Sequence, residues 1–280
     1  MQQIKDLVAT DISRGLFEKI QRGIALQPYK DLYISAQGDD ATADGTQDKP
    51  FKTIPKLLEH INVLYSNNAV TKNIIVKFLT DFTYTKRLDL YYNTRWFLVL
   101  EANGYNVTLG AIATRRCNVR FNGITFSAQN DMSNGSVLDA DNYSYVLLNN
   151  CKFLAPQAQA LFLWCIRYHG TLTMKGENII DLSNNQTSIK EALIACYAKS
   201  DVYCDGDISI KSNITVEKVI SLVRQGGLYI KDNIAFKPYG FTVTGKKYSL
   251  RNYSYMDLRG RGESILFGNK EGELLDGKIY

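Results

Sequence analysis

Histidine is nearly missing from this chain, with two in 280 residues, too few for a His-rich metal site. The five cysteines, at 117, 151, 165, 196 and 204, form no CxxC pair. An odd number without staple-like spacing favours free, buried thiols over a disulfide framework. No segment resembles a signal peptide, and no apolar stretch approaches the roughly 20 residues that span a membrane. The expectation is synthesis in a cytoplasm, no membrane insertion, and any export by another route. Runs of one charge are also lacking. The net charge of +5 comes from 33 basic and 28 acidic residues that are scattered, so no nucleic-acid partner is expected. No Gly-rich phosphate loop, Ser/His/Asp arrangement or metal-ligand cluster stands out, and no cofactor or metal is expected. Triplets such as Asn106-Val107-Thr108 mean little without a secretory route.

What is present is a fourteen-residue block in four ungapped copies: Val137 to Asn150, Leu163 to Gly176, Leu193 to Gly206 and Val219 to Asp232. Apolar side chains recur at its second, fourth, tenth and twelfth positions, as in Leu138, Ala140, Val146 and Leu148, then Trp164, Ile166, Leu172 and Met174. That pattern predicts two short strands, each apolar on one face, joined by a bend near Ser144, Gly170, Ser200 or Gly226. One copy cannot bury its apolar row alone, so copies must stack. The fold class expected is all-β, a parallel β-helix, with function on its outer surface.

The flanks differ from the block. In residues 1–29, Ile12, Leu16, Ile20 and Ile24 recur about every fourth position and predict an amphipathic helix. Residues 30–70 read as an N-terminal cap. A strand from Leu32 to Ser35 is followed by an Asp- and Gly-rich loop. A helix then starts at Thr53 as N-cap with Pro55 in its first turn, and carries Ile54, Leu57, Leu58, Ile61 and Leu64 on one stripe. His60 falls on its polar side. Further strands are predicted at Asn73 to Leu79, Trp96 to Glu101, Val107 to Leu109 and Val119 to Phe126. Together they give about six or seven coils, a stack roughly 30 Å tall at about 4.8 Å per strand. Residues 30–238 form the solenoid with its cap, and 239–280 a small C-terminal β region.

Two stretches carry a resemblance. The segment YISAQGDDATADGTQDKPFKTI (33–54) resembles the opening of pectate-lyase-like right-handed β-helix proteins. The end of the chain is similar to the C-termini of bacteriophage tail fibre and tailspike proteins. It contributes Tyr248 to Leu250, Gly260-Arg261-Gly262, Phe267-Gly268-Asn269, Gly272 and Gly277 to Tyr280, with Phe267 where that group has Pro. The resemblance implies a right-handed parallel β-helix in a homotrimeric phage tail adhesin. Such a protein binds a bacterial surface polysaccharide and joins other tail proteins, here through residues 1–29, in the virion. It implies as alternatives a polysaccharide depolymerase, hydrolase or lyase, and a structural tail or baseplate spacer.

If the fixed apolar positions face inward, their neighbours face outward. Asp139, Asp141, Arg167, Tyr168, His169, Tyr197 and Lys199 then form one patch of carboxylates, bases and rings, a combination suited to a saccharide. Asp139 and Asp141, two residues apart on one strand, would lie roughly 6.7 Å apart, near the lower edge of the roughly 6.5–9.5 Å used by inverting glycosidases. They are the catalytic candidates, with solvated or sugar-binding carboxylates as the alternative. Position eleven stacks Arg120, Leu147, Thr173, Tyr203 and Tyr229. The Tyr203–Tyr229 pair is a platform for a sugar ring, a subunit contact, or a cover for strand backbone. Position thirteen stacks Asn149, Lys175, Asp205 and Lys231 above Asn122 and Glu101, a salt-linked ladder. Asp39, Asp40 and Asp44 offer carboxylates to Ca²⁺, or else serve turn chemistry. Cys165 and Cys204 are the cysteines expected to be partly exposed.

Overall fold

The protein is described by a computed structural model covering residues 31–66, 73–91, 97–129 and 131–280. The helix expected in residues 1–29 lies outside the described residues. Among the described residues the chain winds through three parallel sheets of ten, seven and eight strands and forms one α-helix, α1 (Ile54–Ser66). Each coil visits the first, second and third sheet in turn and then climbs to the next coil. The result is a parallel β-solenoid of about eight turns. Nine steps of about 4.8 Å make the first sheet about 43 Å tall.

The fourteen-residue block is the second half of a coil, comprising a strand of the third sheet, a corner, and a strand of the first sheet. Strand pairing reproduces the alignment of the copies residue for residue. Leu138 pairs with Trp164, Trp164 with Ile194 and Ile194 with Ile220. Val146 likewise pairs with Leu172, and Leu172 with Val202. All sixteen apolar positions of the four copies are buried. Their neighbours on the second sheet form an inner column, Phe126, Phe153, Ile180 and Ile210. The Phe126 and Phe153 rings stack at 4.8 Å, and Trp164 meets Phe153 edge-on at 5.2 Å. Parallel in-register pairing places like side chains on like, so one apolar row per coil becomes a continuous core.

The stack is taller than the block count predicts because the repeat continues into the tail. Val243–Arg251 pairs with Ile214–Val223, and Tyr255–Asp257 pairs with Gly227–Ile230. Lys247 to Gly260 is therefore a fifth copy, with Tyr248 in register with Ile220. The last two strands, Glu273–Leu275 and Lys278–Ile279, also pair parallel with it. The single strand expected over Val119 to Phe126 is two strands on different sheets, Asn118–Asn122 and Thr125–Phe126. They are separated by Gly123 at φ 68°, a conformation in which glycine carries no Cβ penalty.

At the lower end, Leu32–Ile34 pairs with Ile74–Phe78. Ile54, Leu57 and Ile61 of α1 join the core there. Thr53 accepts the Lys56 amide at 3.4 Å, as expected of an N-cap. Asp40 reinforces it by accepting the Thr53 amide at 3.1 Å and the Thr53 hydroxyl at 2.6 Å. Asp39 and Asp44 accept from Ala41, Thr42 and Thr46, which is turn chemistry. His60 does not face water freely. It is half-buried with its ring 5.2 Å from Phe51, and burial pulls its pKa down.

Phe153→Ala removes the ring that joins Phe126 to Trp164. It is expected to cost about 3–5 kcal/mol, read as a lower urea midpoint with an unchanged slope.

Candidate functional site

The corner between the third and first sheets is built from left-handed residues. Positions six and seven of the block both have positive φ in five successive coils: Asn142-Tyr143, Tyr168-His169, Ala198-Lys199, Arg224-Gln225 and Asn252-Tyr253. The coil below has a corner one residue shorter, with Arg116 alone at φ 52°, and Asp276 at φ 59° lies at the top corner. The corners hydrogen-bond to one another up the stack. Each position-seven amide donates to the position-six carbonyl of the next coil: Tyr143 to Tyr168 at 3.1 Å, His169 to Ala198 at 3.2 Å, Lys199 to Arg224 at 3.0 Å and Gln225 to Asn252 at 3.0 Å. Position eight, next along, holds only Ser or Gly. A Cβ on Gly226 would sit 2.4 Å from the Cys196 carbonyl oxygen, and one on Gly170 would sit 2.5 Å from that of Ala140. The Ser144 hydroxyl closes its own corner by donating to the Asp141 carbonyl at 2.6 Å.

This corner presents side chains to solvent where the backbone favours none. A left-handed residue with a Cβ costs roughly 1–2 kcal/mol, and glycine or asparagine is the usual solution. Among the described residues, sixteen positive-φ positions lie away from the corner, and fourteen of them are Gly or Asn. Of the twelve at the corner, two are Asn and none is Gly. Tyr143 is 68% exposed, Tyr168 49% and Tyr253 77%. The Tyr143 ring lies on His169, 4.8 Å apart and within 4° of parallel. Two open clefts of about 460 Å³ each lie along the corner. The lower is lined by Tyr91, Arg115, Arg116 and Asn142. The upper runs from Tyr168 and His169 past Lys199 and Arg224 to Tyr253.

Of the residues predicted as one patch, Tyr168, His169 and Lys199 are at this corner. Asp139 and Asp141 are not exposed as the patch requires, and Tyr197 is half-buried. Asp139 is 1% and Asp141 4% exposed, because the outer face of the third sheet is itself covered. Ser133 and Asn134 fold over it and donate to Asp139 Oδ2 at 2.9 and 2.6 Å. Arg167 reaches from the next coil and binds Asp139 at 3.0 Å and Asp141 at 3.1 Å. Arg115 approaches Asp141 at 3.6 Å. The pair is thus a buried, ion-paired knot, with no open water site between two carboxylates as an inverting hydrolysis needs. Burial, with Asp139 adding to it, raises the Asp141 pKa despite Arg167 and Arg115.

Tyr197 packs edge-on to Phe162 at 5.9 Å, over a second apolar cluster of Phe162, Cys165, Ala192 and Ala195. Cys165 and Cys204, expected to be partly exposed, are buried, as are the other three cysteines. Burial pushes the Cys165 thiol up to about 12, which leaves it unreactive at neutral pH.

Tyr203 and Tyr229 stand on consecutive strands of the first sheet, their rings 4.7 Å apart and within 3° of parallel. The Tyr229 and Tyr255 hydroxyls share a hydrogen bond at 2.5 Å, and Tyr255 donates to Asp201 at 2.9 Å. These rings stack on one another rather than standing apart from the sheet. The position-thirteen ladder is not salt-linked: Lys175, Asp205 and Lys231 form no ion pair among the described residues, and below them Asn149 donates to Asn122 at 3.3 Å and Asn122 to Glu101 at 3.0 Å.

Sequence reasoning passes over Tyr91, Arg116, Arg224, Asn252 and Tyr253. The signal for the last two is the fifth copy, Lys247 to Gly260. Arg116 belongs to a coil whose corner is one residue shorter, and Tyr91 to one with a longer connection before Phe97, so an ungapped block misses both. Among the described residues, no group of three or more His, Cys, Asp or Glu is placed to hold a metal ion. No helix there is long and apolar enough to cross a membrane. Compared with known proteins, the chain matches no family model, no curated protein and no solved structure.

The knot gives a paired expectation. Asp139→Ala leaves Arg167 with Asp141 alone and takes the acceptor from Ser133 and Asn134, and should cost about 1–3 kcal/mol. Asp141 has a raised folded pKa, so its ionised form works against the fold at neutral pH, and the penalty fades as pH falls through that pKa. Asp141→Asn should therefore be at least as stable as the parent at pH 7, with the difference shrinking in acid. Urea unfolding of both variants from pH 7 to pH 3 reads this directly.

Proposed function

We propose that this protein is a receptor-binding subunit of bacteriophage tail-fibre or tailspike type that holds a bacterial surface polysaccharide along the solenoid corner. The observation that carries the reading is the corner itself, with exposed Tyr and cationic side chains kept at left-handed positions in coil after coil. Saccharide recognition uses aromatic faces for ring stacking and polar or charged groups for hydroxyls. A corner with one side-chain pair per coil, repeating about every 4.8 Å, suits an extended polymer. The similarity of the C-terminal segment to tail proteins supports the phage setting. In this reading residues 1–29 attach to other tail proteins, three copies assemble, and the protein resides in the virion.

Binding is favoured over cleavage because the carboxylates spaced for hydrolysis, Asp139 and Asp141, are buried and paired with Arg167. An array of bacterial polysaccharides probed with the purified chain is expected to show retention without release of reducing ends. Tyr168→Ala and Tyr253→Ala should each weaken retention about tenfold, in line with the roughly 1–1.5 kcal/mol of one aromatic contact. Retention of none of the polysaccharides would overturn the reading. Release of reducing ends would require a catalytic site away from the corner.

A further inference from the structure

Resting on the glycan-binding reading, we propose that the bound polymer is acidic, its sugar carboxylates paired by Arg116, Lys199 and Arg224. The other corner cations already have partners. Arg167 is taken by Asp139 and Asp141, Arg115 approaches Asp141, and Arg251 binds Glu273 at 3.1 Å. Arg116, Lys199 and Arg224 are exposed and make no ion pair among the described residues. Lys199 and Arg224 occupy successive rungs joined by a backbone hydrogen bond of 3.0 Å, and both line the upper cleft.

Two like charges on adjacent rungs repel each other, and nothing in the cleft lining offsets them, since it contains no Asp or Glu. A carboxylate lodged there would remove the repulsion. Guanidinium groups bind carboxylates through two parallel hydrogen bonds, and Tyr168 and Tyr253 at the two ends of the cleft offer ring faces. All three cations stand on left-handed residues, Arg116 at φ 52°, Lys199 at 61° and Arg224 at 54°. Glycine there would relax the backbone, yet the side chains are present. A nucleic acid fits less well, because basic residues outside the corner are interspersed with almost as many acidic ones.

The test is calorimetric titration of the full chain with polygalacturonate and polysialic acid, against methyl-esterified polygalacturonate and dextran as uncharged polymers. At least one acidic polymer is expected to bind at least tenfold more tightly than the uncharged ones, with affinity falling as salt rises. Lys199→Ala and Arg224→Ala should each weaken that binding about tenfold, the effect of one charge-assisted hydrogen bond. Lys199→Gly separates folding from binding: it should melt no lower than the parent yet bind as weakly as Lys199→Ala. Uncharged polymers binding as tightly as acidic ones would overturn the acidic preference while leaving the glycan-binding reading intact. Binding of none of the four polymers, unchanged affinity in the variants, or equal affinity for duplex DNA would each overturn this proposal.

Discussion

The corner ladder is the constraint on which the rest of this solenoid depends. Five successive coils turn from the third sheet to the first through two left-handed residues, and their amides and carbonyls pair from corner to corner up the stack. The conformation is uphill by roughly 1–2 kcal/mol per residue, and one hydrogen bond returns only about 0.5–1.5 kcal/mol. The core must supply the difference. It does so through in-register stacking of Leu138, Trp164, Ile194 and Ile220 on one side of the corner and Val146, Leu172 and Val202 on the other. A strained corner is thus held by the two columns it connects, and its side chains project to solvent from a rigid base.

The third sheet shows how a strand can be buried on both faces in a single-layer coil. All six residues of Ser136–Asp141 are buried. Asp139 is covered by the Ser133 and Asn134 loop and by Arg167, and one to two coils up Phe162 and Tyr197 pack with Cys165, Ala192 and Ala195 in a cluster of their own. Two carboxylates in such a place demand cations, and Arg167 serves both at once. This pairing absorbs Asp139 and Asp141. The clefts are lined by Arg and Lys with no Asp or Glu, so the same network helps set the charge of the clefts beside it.

Much of the coil was legible from periodicity. The block predicts the strands flanking the corner and sixteen core residues, because a two-residue alternation has one face that can be apolar, and it leaves out position one, where Val137, Leu163, Leu193 and Val219 also join the core. The second sheet was not legible. Its strands are as short as Thr125–Phe126 and Phe236–Lys237 and give too few alternations to recognise. Strand pairing extended the repeat to a fifth copy, where Tyr248 takes the position held by Leu138, Trp164, Ile194 and Ile220. The patch was half legible. Tyr168, His169 and Lys199 follow from the bend, whereas placing Asp139, Asp141 and Tyr197 outside assumed that an outward side chain is an exposed one.

By itself the sequence determined the stacking unit, its register and the place of its bend, since these follow from which side chains must leave water. Tertiary structure decided what covers the outer wall, which cations keep their charge unpaired, and that the bend is a left-handed pair in five successive coils. Those outcomes depend on contacts between residues about 25 to 30 apart, such as Asp139 with Arg167 and Lys199 with Arg224. No local pattern encodes them, because the partner's position exists only once the coils have stacked.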